Sequence, residues 1–376
     1  MSDSTAISPE ELKKMLDTSS VEFLFDLRNA DDFKSWHIEG KREFETLNLP
    51  QEDFIGEEDR HLGRFPKDKK ILTICAHGDA AAYAADLLRS HGLRALSLKG
   101  GMDTWSEYYE VDKVSSDPAI YQVYRVAKGC ISYLISSRGQ AVVIDAPRHI
   151  GQIRTLAESL KVKITDVLDT HLHADHISGG HDLAEAVGAL YHLNTADAGG
   201  AAISFQQLAD GQKVTFGSCV LEVIHSPGHT PGSTSFLLNG TYLFTGDTIM
   251  KTSIGRPDLG GLADEWSALL HDTLFRRFAR FSDDIVILPS HASSVREQDD
   301  ERIIRTTMGE ARRDRDLFQL KDRGAFARRI RESLLENPDR YQDIRKVNLG
   351  VMLPDEEKRK ELEIGKNLCG MAKVQG

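Results

Sequence analysis

The chain lacks the excess of basic residues that nonspecific binding to nucleic acid or to an anionic membrane requires. Lys and Arg total 47 against 58 Asp and Glu, which gives a formal net charge of −11 over 376 residues. The Arg-rich stretch 310–332 interleaves Asp and Glu with its arginines, a pattern typical of a solvated helix face. We therefore expect neither nucleic acid nor a membrane as a partner.

Signals for export and for membrane insertion are also missing. The amino terminus is polar and acidic, where a secretory signal needs a positive start and an apolar run, and no stretch has the length of a membrane span. The four cysteines are scattered, at Cys75, Cys130, Cys219 and Cys369. This spacing argues against a disulfide framework. The sequence therefore predicts a cytoplasmic protein, and its length is typical of two or three domains.

Three imidazoles and a carboxylate lie within six consecutive residues, and their density points to metal chemistry. The cluster is His171, His173, Asp175 and His176. Buried groups of this kind must be paired or coordinated. Apolar residues before the cluster indicate a strand, and the residues after it indicate the start of a helix, so we predict a strand-to-helix loop. In extended backbone, side chains two residues apart point the same way, which lets His171 and His173 converge.

Further candidate ligands stand in turn-rich loops that follow predicted strands. They are His229 in SPGHTPGS, Asp247 in TGDT and His291 in LPSH. Loops at one edge of a layered sheet can gather ligands from distant parts of the sequence. The strand and helix patterns of this region predict two sheets with helices outside.

The first hundred residues alternate strand and helix patterns, which predicts a small parallel α/β sheet. Between the strand predicted over 70–74 and the next helix lies the loop Cys75-Ala76-His77-Gly78-Asp79-Ala80. A cysteine at the carboxyl end of a strand, facing the first N–H groups of a helix, has its thiolate favoured by that helix end. Cys75 is therefore a candidate reactive residue.

Several stretches of this region resemble, in order and spacing, the rhodanese domain. They are Phe25-Asp26-Leu27-Arg28, Trp36-His37-Ile38-Glu39-Gly40, the Cys75 loop and Lys99-Gly100-Gly101-Met102-Asp103-Thr104-Trp105. The resemblance implies that Cys75 carries a sulfane sulfur as a persulfide. This chain has Ala80 where an arginine usually helps to bind the anionic donor, and it adds Asp79, and both changes weaken an anion cradle. The alternative is a docking or regulatory domain in which Cys75 is an inert thiol.

The histidine cluster, taken with His229, Asp247 and His291, resembles the complete ligand set of the metallo-β-lactamase superfamily. That set identifies the fold but not the reaction, because hydrolases and oxygenases share it. The segment 250–261 resembles the stretch after the metal-binding aspartate in persulfide dioxygenases, particularly prokaryotic forms fused to rhodanese domains. It has Leu259-Gly260-Gly261 where mitochondrial-type enzymes have an aromatic residue and glutamines. This difference leaves the thiol substrate open.

This resemblance implies an oxidoreductase that converts a small thiol persulfide, such as glutathione persulfide, with O2 and water to the thiol and sulfite. It implies one Fe(II) per chain, held by His171, His229 and Asp247. Two histidines and a carboxylate leave open positions, which suits Fe(II) binding both a sulfur substrate and O2. Four more residues would orient these ligands and tune the metal: His173, Asp175, His176 and His291. Arg256 would help to hold the anionic substrate near the metal, and the alternative is that Arg256 is a surface ion-pair residue.

Two other functions fit the same residues. One is a dinuclear Zn thioester hydrolase resembling glyoxalase II, in which His173, Asp175, His176 and His291 also bind metal. The other is a sulfur carrier or scaffold whose metal site is only structural. The sequence leaves open the physiological thiol, the metal loaded in the cell and whether the chain forms a homo-oligomer.

The predicted architecture is α/β throughout. A parallel rhodanese-like domain over residues 1–112 is followed by a polar linker over 111–118. An αββα metallo-β-lactamase sandwich over 119–300 comes next. A helical extension over 301–376, with helices at 303–313, 325–335 and 355–368, is expected to pack on the metal domain.

Overall fold

The computed structural model describes residues 5–258, 260–334, 340–367 and 369–370. Leu259, Leu335 and Leu368, at which predictions were made, lie outside the described residues. The described chain divides into two compact units: the residues through Tyr109 with 125–128 and 294–296, and the remainder. The domain boundaries at residues 112, 119 and 300 stay predictions. Within the described residues, no helix combines the length and apolar character needed to cross a membrane.

The first unit is built on a parallel sheet. Its strands are β1 Ala6–Ile7, β2 Phe23–Asp26, β3 Glu45–Asn48, β4 Lys70–Ile74 and β5 Arg94–Leu98. Its helices are α1 Pro9–Asp17, α2 Ala30–Ser35, α3 Gln51–Phe54, α4 Glu58–His61, α5 Asp79–Ser90 and α6 Gly101–Ser106. The sheet order is β1-β5-β4-β2-β3, and the paired strands run parallel. The parallel α/β sheet predicted for this region is confirmed.

Local sequence explains where the elements of this unit begin and what they bury. Ser8 and Glu11 form a capping box at the start of α1, as the S-x-x-E pattern favours. Phe25 from β2 packs edge-on against Phe54 and Phe65, with ring centroids 5.0 Å apart in both pairs. These contacts build an aromatic core on one face of the sheet.

In its described residues, the second unit contains two sheets. The strands of the first are β6 Tyr109–Ser116, β7 Ala119–Arg125, β8 Cys130–Ser137, β9 Gln140–Ile144, β10 Lys163–Leu168, β11 Leu190–Leu193 and β12 Gln206–Gln207, in the order β12-β11-β10-β9-β8-β7-β6. The strands of the second are β13 Lys213–Phe216, β14 Cys219–His225, β15 Thr234–Leu238, β16 Tyr242–Gly246, β17 Val286–Pro289 and β18 Thr306–Thr307, which neighbour one another in sequence order.

Helices accompany both sheets and dominate the carboxyl-terminal part. They are α7 Gly151–Leu160, α8 Gly180–Val187, α9 Ala263–Asp272, α10 Met308–Asp314, α11 Arg323–Glu332, α12 Arg340–Asn348 and α13 Glu356–Leu362. Buried residues of α9, α10 and α11 share a hydrophobic core with β16 and β17. The predicted layered fold with a helical carboxyl-terminal region is confirmed.

Three predicted segments differ in the structure. The stretch 111–118, predicted as a polar linker, is largely strand β6, whose polar residues suit the edge of a sheet. The helix predicted from 303 begins only at Met308, because Thr306–Thr307 pairs with β17 and Thr307 with Glu310 forms a capping box. The helix predicted over 355–368 ends at Leu362.

Candidate metal centre

The histidine cluster lies on the loop between β10 and α8, so its residues follow a strand and precede a helix as predicted. His171, His173, Asp175 and His176 are all buried. The His171 and His173 rings lie 4.2 Å apart, measured between centroids. Asn348 at the end of α12 donates from Nδ2 to the carbonyls of His173 and His176, at 2.9 and 3.0 Å. Helix α12 therefore helps to hold this loop in place.

Three other loops bring the remaining ligand-type residues to the same place. His229 follows β14, Asp247 follows β16 and His291 follows β17. Strand β16 is parallel to β17 and is separated from β14 by the antiparallel strand β15. The carboxyl ends of β14, β16 and β17 therefore lie at one edge of the sheet. Sheet topology thus gathers side chains that are up to 120 residues apart in sequence.

One group of three donors is a candidate cation site. Single atoms of His171, His229 and Asp247 lie within 4.8 Å of one another, and all three residues are buried. Asp247 Oδ2 is 4.0 Å from His171 Nε2 and 3.6 Å from His229 Nε2. Within the described part of the chain these three atoms have no hydrogen-bond partner. Buried polar atoms are rarely left in that state, so a bound cation would satisfy them.

Hydrogen bonds at the far side of each ring direct these lone pairs toward one point. His229 Nδ1 donates to the Arg256 carbonyl at 2.9 Å. Thr170 Oγ1 donates to Asp145 at 2.9 Å, so the same oxygen accepts from His171 Nδ1, also at 2.9 Å. Each Nε2 is thus left with a free lone pair. Burial lowers the pKa of both imidazoles, which keeps them neutral and able to bind a cation.

A second group of ligand atoms adjoins the first and includes a cysteine. Cys130, Asp175, His176 and His291 lie within 4.8 Å of one another and are buried. Cys130 faces His291 across an isolated antiparallel bridge. His291 also contacts both carboxylates, with Nδ1 2.6 Å from Asp247 Oδ1 and Nε2 3.1 Å from Asp175 Oδ2. Burial alone would raise the pKa of Cys130, but the His176 and His291 imidazoles outweigh it and lower this pKa to about 6.

His173 belongs to a third group, with Asp145 and Asp169. Its Nε2 lies 3.2 Å from Asp145 Oδ1. Asp145 also accepts from the Thr170 backbone at 2.7 Å and from the Ser290 hydroxyl. Asp145 therefore connects the cluster loop with the loop that carries His291.

The structure places Arg256 beside the three-donor group. Its guanidinium is buried and contacts the Asp258 carboxylate at 2.6 Å, and its backbone carbonyl is the acceptor for His229. The preceding residue, Gly255, leaves room for the His229 ring, because a Cβ at this position would come within 2.8 Å of that ring. The segment after Asp247 thus packs directly on a candidate ligand, and a contact between Arg256 and substrate stays a prediction.

Cys75 lies at the start of α5 in the first unit. Its Sγ accepts from the backbone N–H groups of Gly78 at 3.1 Å and Ala81 at 3.3 Å. Gly78 has φ of 101°, a conformation that favours glycine. The loop therefore surrounds the sulfur atom with N–H groups from the start of a helix.

Sequence reasoning missed several residues that complete the centre, chiefly Cys130, Asp145 and Asn348. Asp145 directly follows a buried strand, and this is the signal that could have identified it, since ligand-bearing loops follow strands here. Cys130 and Asn348 had no comparable signal. Their contacts depend on a cross-strand bridge and on helix packing between residues more than 150 positions apart.

Family models match two separate regions of the chain. Residues 8–108 match the model described as Rhodanese-like domain, and residues 126–291 match the model of the Metallo-beta-lactamase superfamily. The resemblance to these two families predicted from the sequence is confirmed.

The relatives of this chain include proteins named for two different activities. A hydroxyacylglutathione hydrolase of Fuscovulum blasticum is 35% identical over 135 residues, which are 36% of this chain and 52% of that protein. The Homo sapiens mitochondrial persulfide dioxygenase ETHE1 is 31% identical over 179 residues, 45% of this chain and 66% of that protein. The crystal structure of ETHE1 from Myxococcus xanthus superposes with a TM-score of 0.54 at 27% identity, covering 62% of this chain and 98% of that one. The matched region thus spans about half to two thirds of these curated relatives.

Proposed function

We propose that this chain, a rhodanese-like domain joined to a metallo-β-lactamase domain, is a persulfide dioxygenase. The reaction converts a thiol persulfide, O2 and water to the thiol, sulfite and two protons, which balances atoms and charge. The terminal sulfur is oxidised and O2 is reduced. Glutathione persulfide is the substrate we propose for testing.

The three-donor group carries this proposal. Two neutral imidazoles and one carboxylate converge on one point, and their Nε2 and Oδ2 atoms have no other partner in the described part of the chain. A 2-His-1-carboxylate set with open positions is the ligand pattern of non-haem Fe(II) oxygenases. When bound there, Fe(II) would supply redox chemistry and open positions for sulfur and O2. Zn(II) has no accessible redox change, so it would suit only a hydrolase.

The surrounding residues would hold these ligands and the substrate. Thr170 and the Arg256 carbonyl fix the orientation of the His171 and His229 rings. His173 is engaged by Asp145, and His176 and His291 lie against Cys130 and Asp175. We propose that these four ligand-type residues orient the centre without binding the ion. Arg256 is the cation we propose to attract the anionic persulfide.

The first unit would handle sulfur at Cys75. Its cradle of helix N–H groups supports a persulfide-carrying role. Docking or regulation remains the competing role, because Asp79 and Ala80 supply no positive charge in the loop.

A dinuclear thioester hydrolase is the second candidate function. It is favoured by the second donor group, in which His291 touches Asp247 of the first group, and by the 35% identity to a hydroxyacylglutathione hydrolase. In that case two Zn ions would bind per chain.

Metal content paired with substrate turnover separates the two functions. The full chain is purified anaerobically and reconstituted with Fe(II), and metal per chain is measured by elemental analysis. O2 uptake and sulfite release are followed with glutathione persulfide, and thiol release with a glutathione thioester. A persulfide dioxygenase should bind about one iron and consume O2, in line with the three-ligand site. Two Zn ions per chain, thioester cleavage and no O2 uptake after iron reconstitution would establish the hydrolase instead.

A further inference from the structure

Asp197 is a buried carboxylate outside the ligand set described above. It lies in the loop after β11, the strand that pairs in parallel with β10. Because the two strands run side by side, the loop after β11 ends near the loop that follows β10. Asp197 thus comes close to the histidine cluster, although neither the cluster nor the His229 loop is near it in sequence.

The two oxygens of Asp197 accept hydrogen bonds from both histidine-bearing loops. Oδ2 accepts from the Leu172 backbone at 3.0 Å and from the Thr230 hydroxyl at 2.6 Å. Oδ1 accepts from the Gly232 backbone at 2.7 Å. Leu172 directly follows His171, and Thr230 directly follows His229. One carboxylate therefore joins the neighbours of the two imidazoles in the three-donor group.

The loop around His229 is shaped to admit this carboxylate. A Cβ on Gly232 would lie 2.5 Å from Asp197 Cγ, so a larger residue would force the carboxylate away. Thr230 is held in turn by Ser233, whose hydroxyl lies 2.9 Å from that of Thr230 and accepts from its backbone N–H at 3.0 Å. The close fit and the three donors distinguish Asp197 from a buried acid that merely fills a turn.

We propose that Asp197 is a positioning residue that sets the separation of His171 and His229 in the metal centre. The proposal rests on these two residues being ligands, as the proposed function holds, but not on which metal binds or which substrate reacts. The imidazole rings lie 4.8 Å apart, measured between centroids. Hydrogen bonds to a charged acceptor are short and directional, so one carboxylate shared by two loops fixes their relative position more firmly than water would.

Metal affinity and ligand-field spectra of the full chain test this role. The protein is stripped of metal and titrated with Co(II) against a competing chelator. Asp197→Asn keeps the size of the side chain but replaces an acceptor oxygen with an NH2 group. This NH2 group would face N–H and O–H donors, with which it cannot form a hydrogen bond as an acceptor. One of the two loops should therefore lose its hydrogen bond to residue 197. Loss of an outer partner of metal ligands typically weakens affinity about 10- to 100-fold, and the Co(II) visible spectrum should change with the ligand geometry.

Asp166→Asn is the matched control. Asp166 pairs with the buried His192 at 2.8 Å on the same sheet, and it belongs to none of the three donor groups. This variant should keep the wild-type Co(II) affinity and spectrum. An Asp197→Asn protein that matches the wild type in both measurements would overturn the proposal.

Thr230→Val provides an independent variant, which also serves if Asp197→Asn fails to fold. It removes a single donor to Asp197 and leaves the carboxylate in place. We expect a smaller loss of Co(II) affinity, and in the double variant less than the sum of the two single effects, because both changes act on one contact. Wild-type affinity and spectrum in Thr230→Val, or strictly additive losses, would contradict the proposal. The Co(II) readouts do not depend on turnover, so failure of the dioxygenase assay alone would leave this test intact.

Discussion

His291 is the residue at which the two proposed enzymes differ most. It touches Asp247 of the three-donor group and Asp175 of the second group. In a mononuclear iron enzyme, His291→Ala should retain about one iron per chain and lower O2 uptake about 10- to 100-fold, the usual size of effects from residues behind the ligands. In a dinuclear hydrolase the same change should lower metal from about two ions to about one. Elemental analysis paired with O2 uptake measures both.

His229→Ala and His192→Ala are the two controls for the His291→Ala experiment. His229 is a proposed ligand, so its loss should remove both metal and O2 uptake. His192 is buried but pairs with Asp166 rather than with the donor groups, so its loss should alter neither beyond any effect on folding. A His291→Ala protein that loses its iron as completely as His229→Ala would contradict the proposal that His291 orients the centre without binding the ion.

Arg256 is proposed to attract the persulfide, although its guanidinium already contacts the buried Asp258 carboxylate. If Arg256 also attracts the persulfide, Arg256→Ala should raise KM with metal content unchanged. Loss of one charge-assisted contact costs about 1.5 to 3 kcal/mol, which corresponds to about 10- to 150-fold. Asp258→Asn removes the observed partner but keeps the guanidinium, so it should leave KM near the wild-type value. An equal rise in KM for both variants would mean that the Arg256–Asp258 pair only holds the loop in place and that Arg256 does not bind the substrate.

At the scale of elements, the Cys75 loop between β4 and α5 makes its own prediction. Its sulfur sits among helix N–H groups in the first compact unit, whereas the donor groups belong to the second. A sulfane donor should therefore add one sulfur atom to Cys75, detected by mass spectrometry of the intact chain. Cys75→Ser should abolish that addition and leave O2 uptake on small persulfides largely intact. Cys219, buried in β14, is the matched control for thiol loss. Donor-treated protein with no added sulfur at Cys75 would remove the carrier role.

Sequence patterns predicted these elements well where local signals dominate. Strand β4 and the start of α1 follow from apolar runs and capping residues, and the cluster loop follows from its histidines. The polar composition of residues 111–118 wrongly predicted a linker where β6 lies, because an edge strand needs few apolar residues. The sequence pattern also placed the helix after residue 303 too early, although the Thr307 to Glu310 capping box was present in the sequence. Pairing with β17 decided that boundary, and such long-range pairing leaves little trace in local composition.

The same distinction applies to the site. The ligand-type residues stand out because several occur together in turn-rich loops. Cys130, Asp145 and Asp197 do not, because each acts through contacts made across strands or between loops. The family resemblance set His171 and His173 in different roles, but spacing alone puts them side by side. Their different hydrogen-bond partners are visible only in the structure.

For the molecule as a whole, metal should stabilise one compact unit and not the other. The three buried donor groups of the candidate metal centre consist of residues of the second unit. A ligand present at about 1,000 times its Kd stabilises the folded state by about 4 kcal/mol. In a domain of this size that corresponds to a rise in the unfolding midpoint of about 8 to 16 °C.

Calorimetry with and without a chelator tests this expectation, and tryptophan fluorescence assigns each transition. Trp36 and Trp105 lie in the first unit and Trp266 lies in the second, where it packs in a buried cluster with Ala174 and Ile177 of the histidine-cluster loop. In Trp266→Phe, fluorescence should follow the first unit alone and be insensitive to chelator, while calorimetry should still show the metal-dependent transition. A chelator effect on the Trp36 and Trp105 signal equal to that on the whole protein would mean that the units unfold together. No effect on either transition would mean that the folded centre holds no exchangeable metal, which would count against both enzyme proposals.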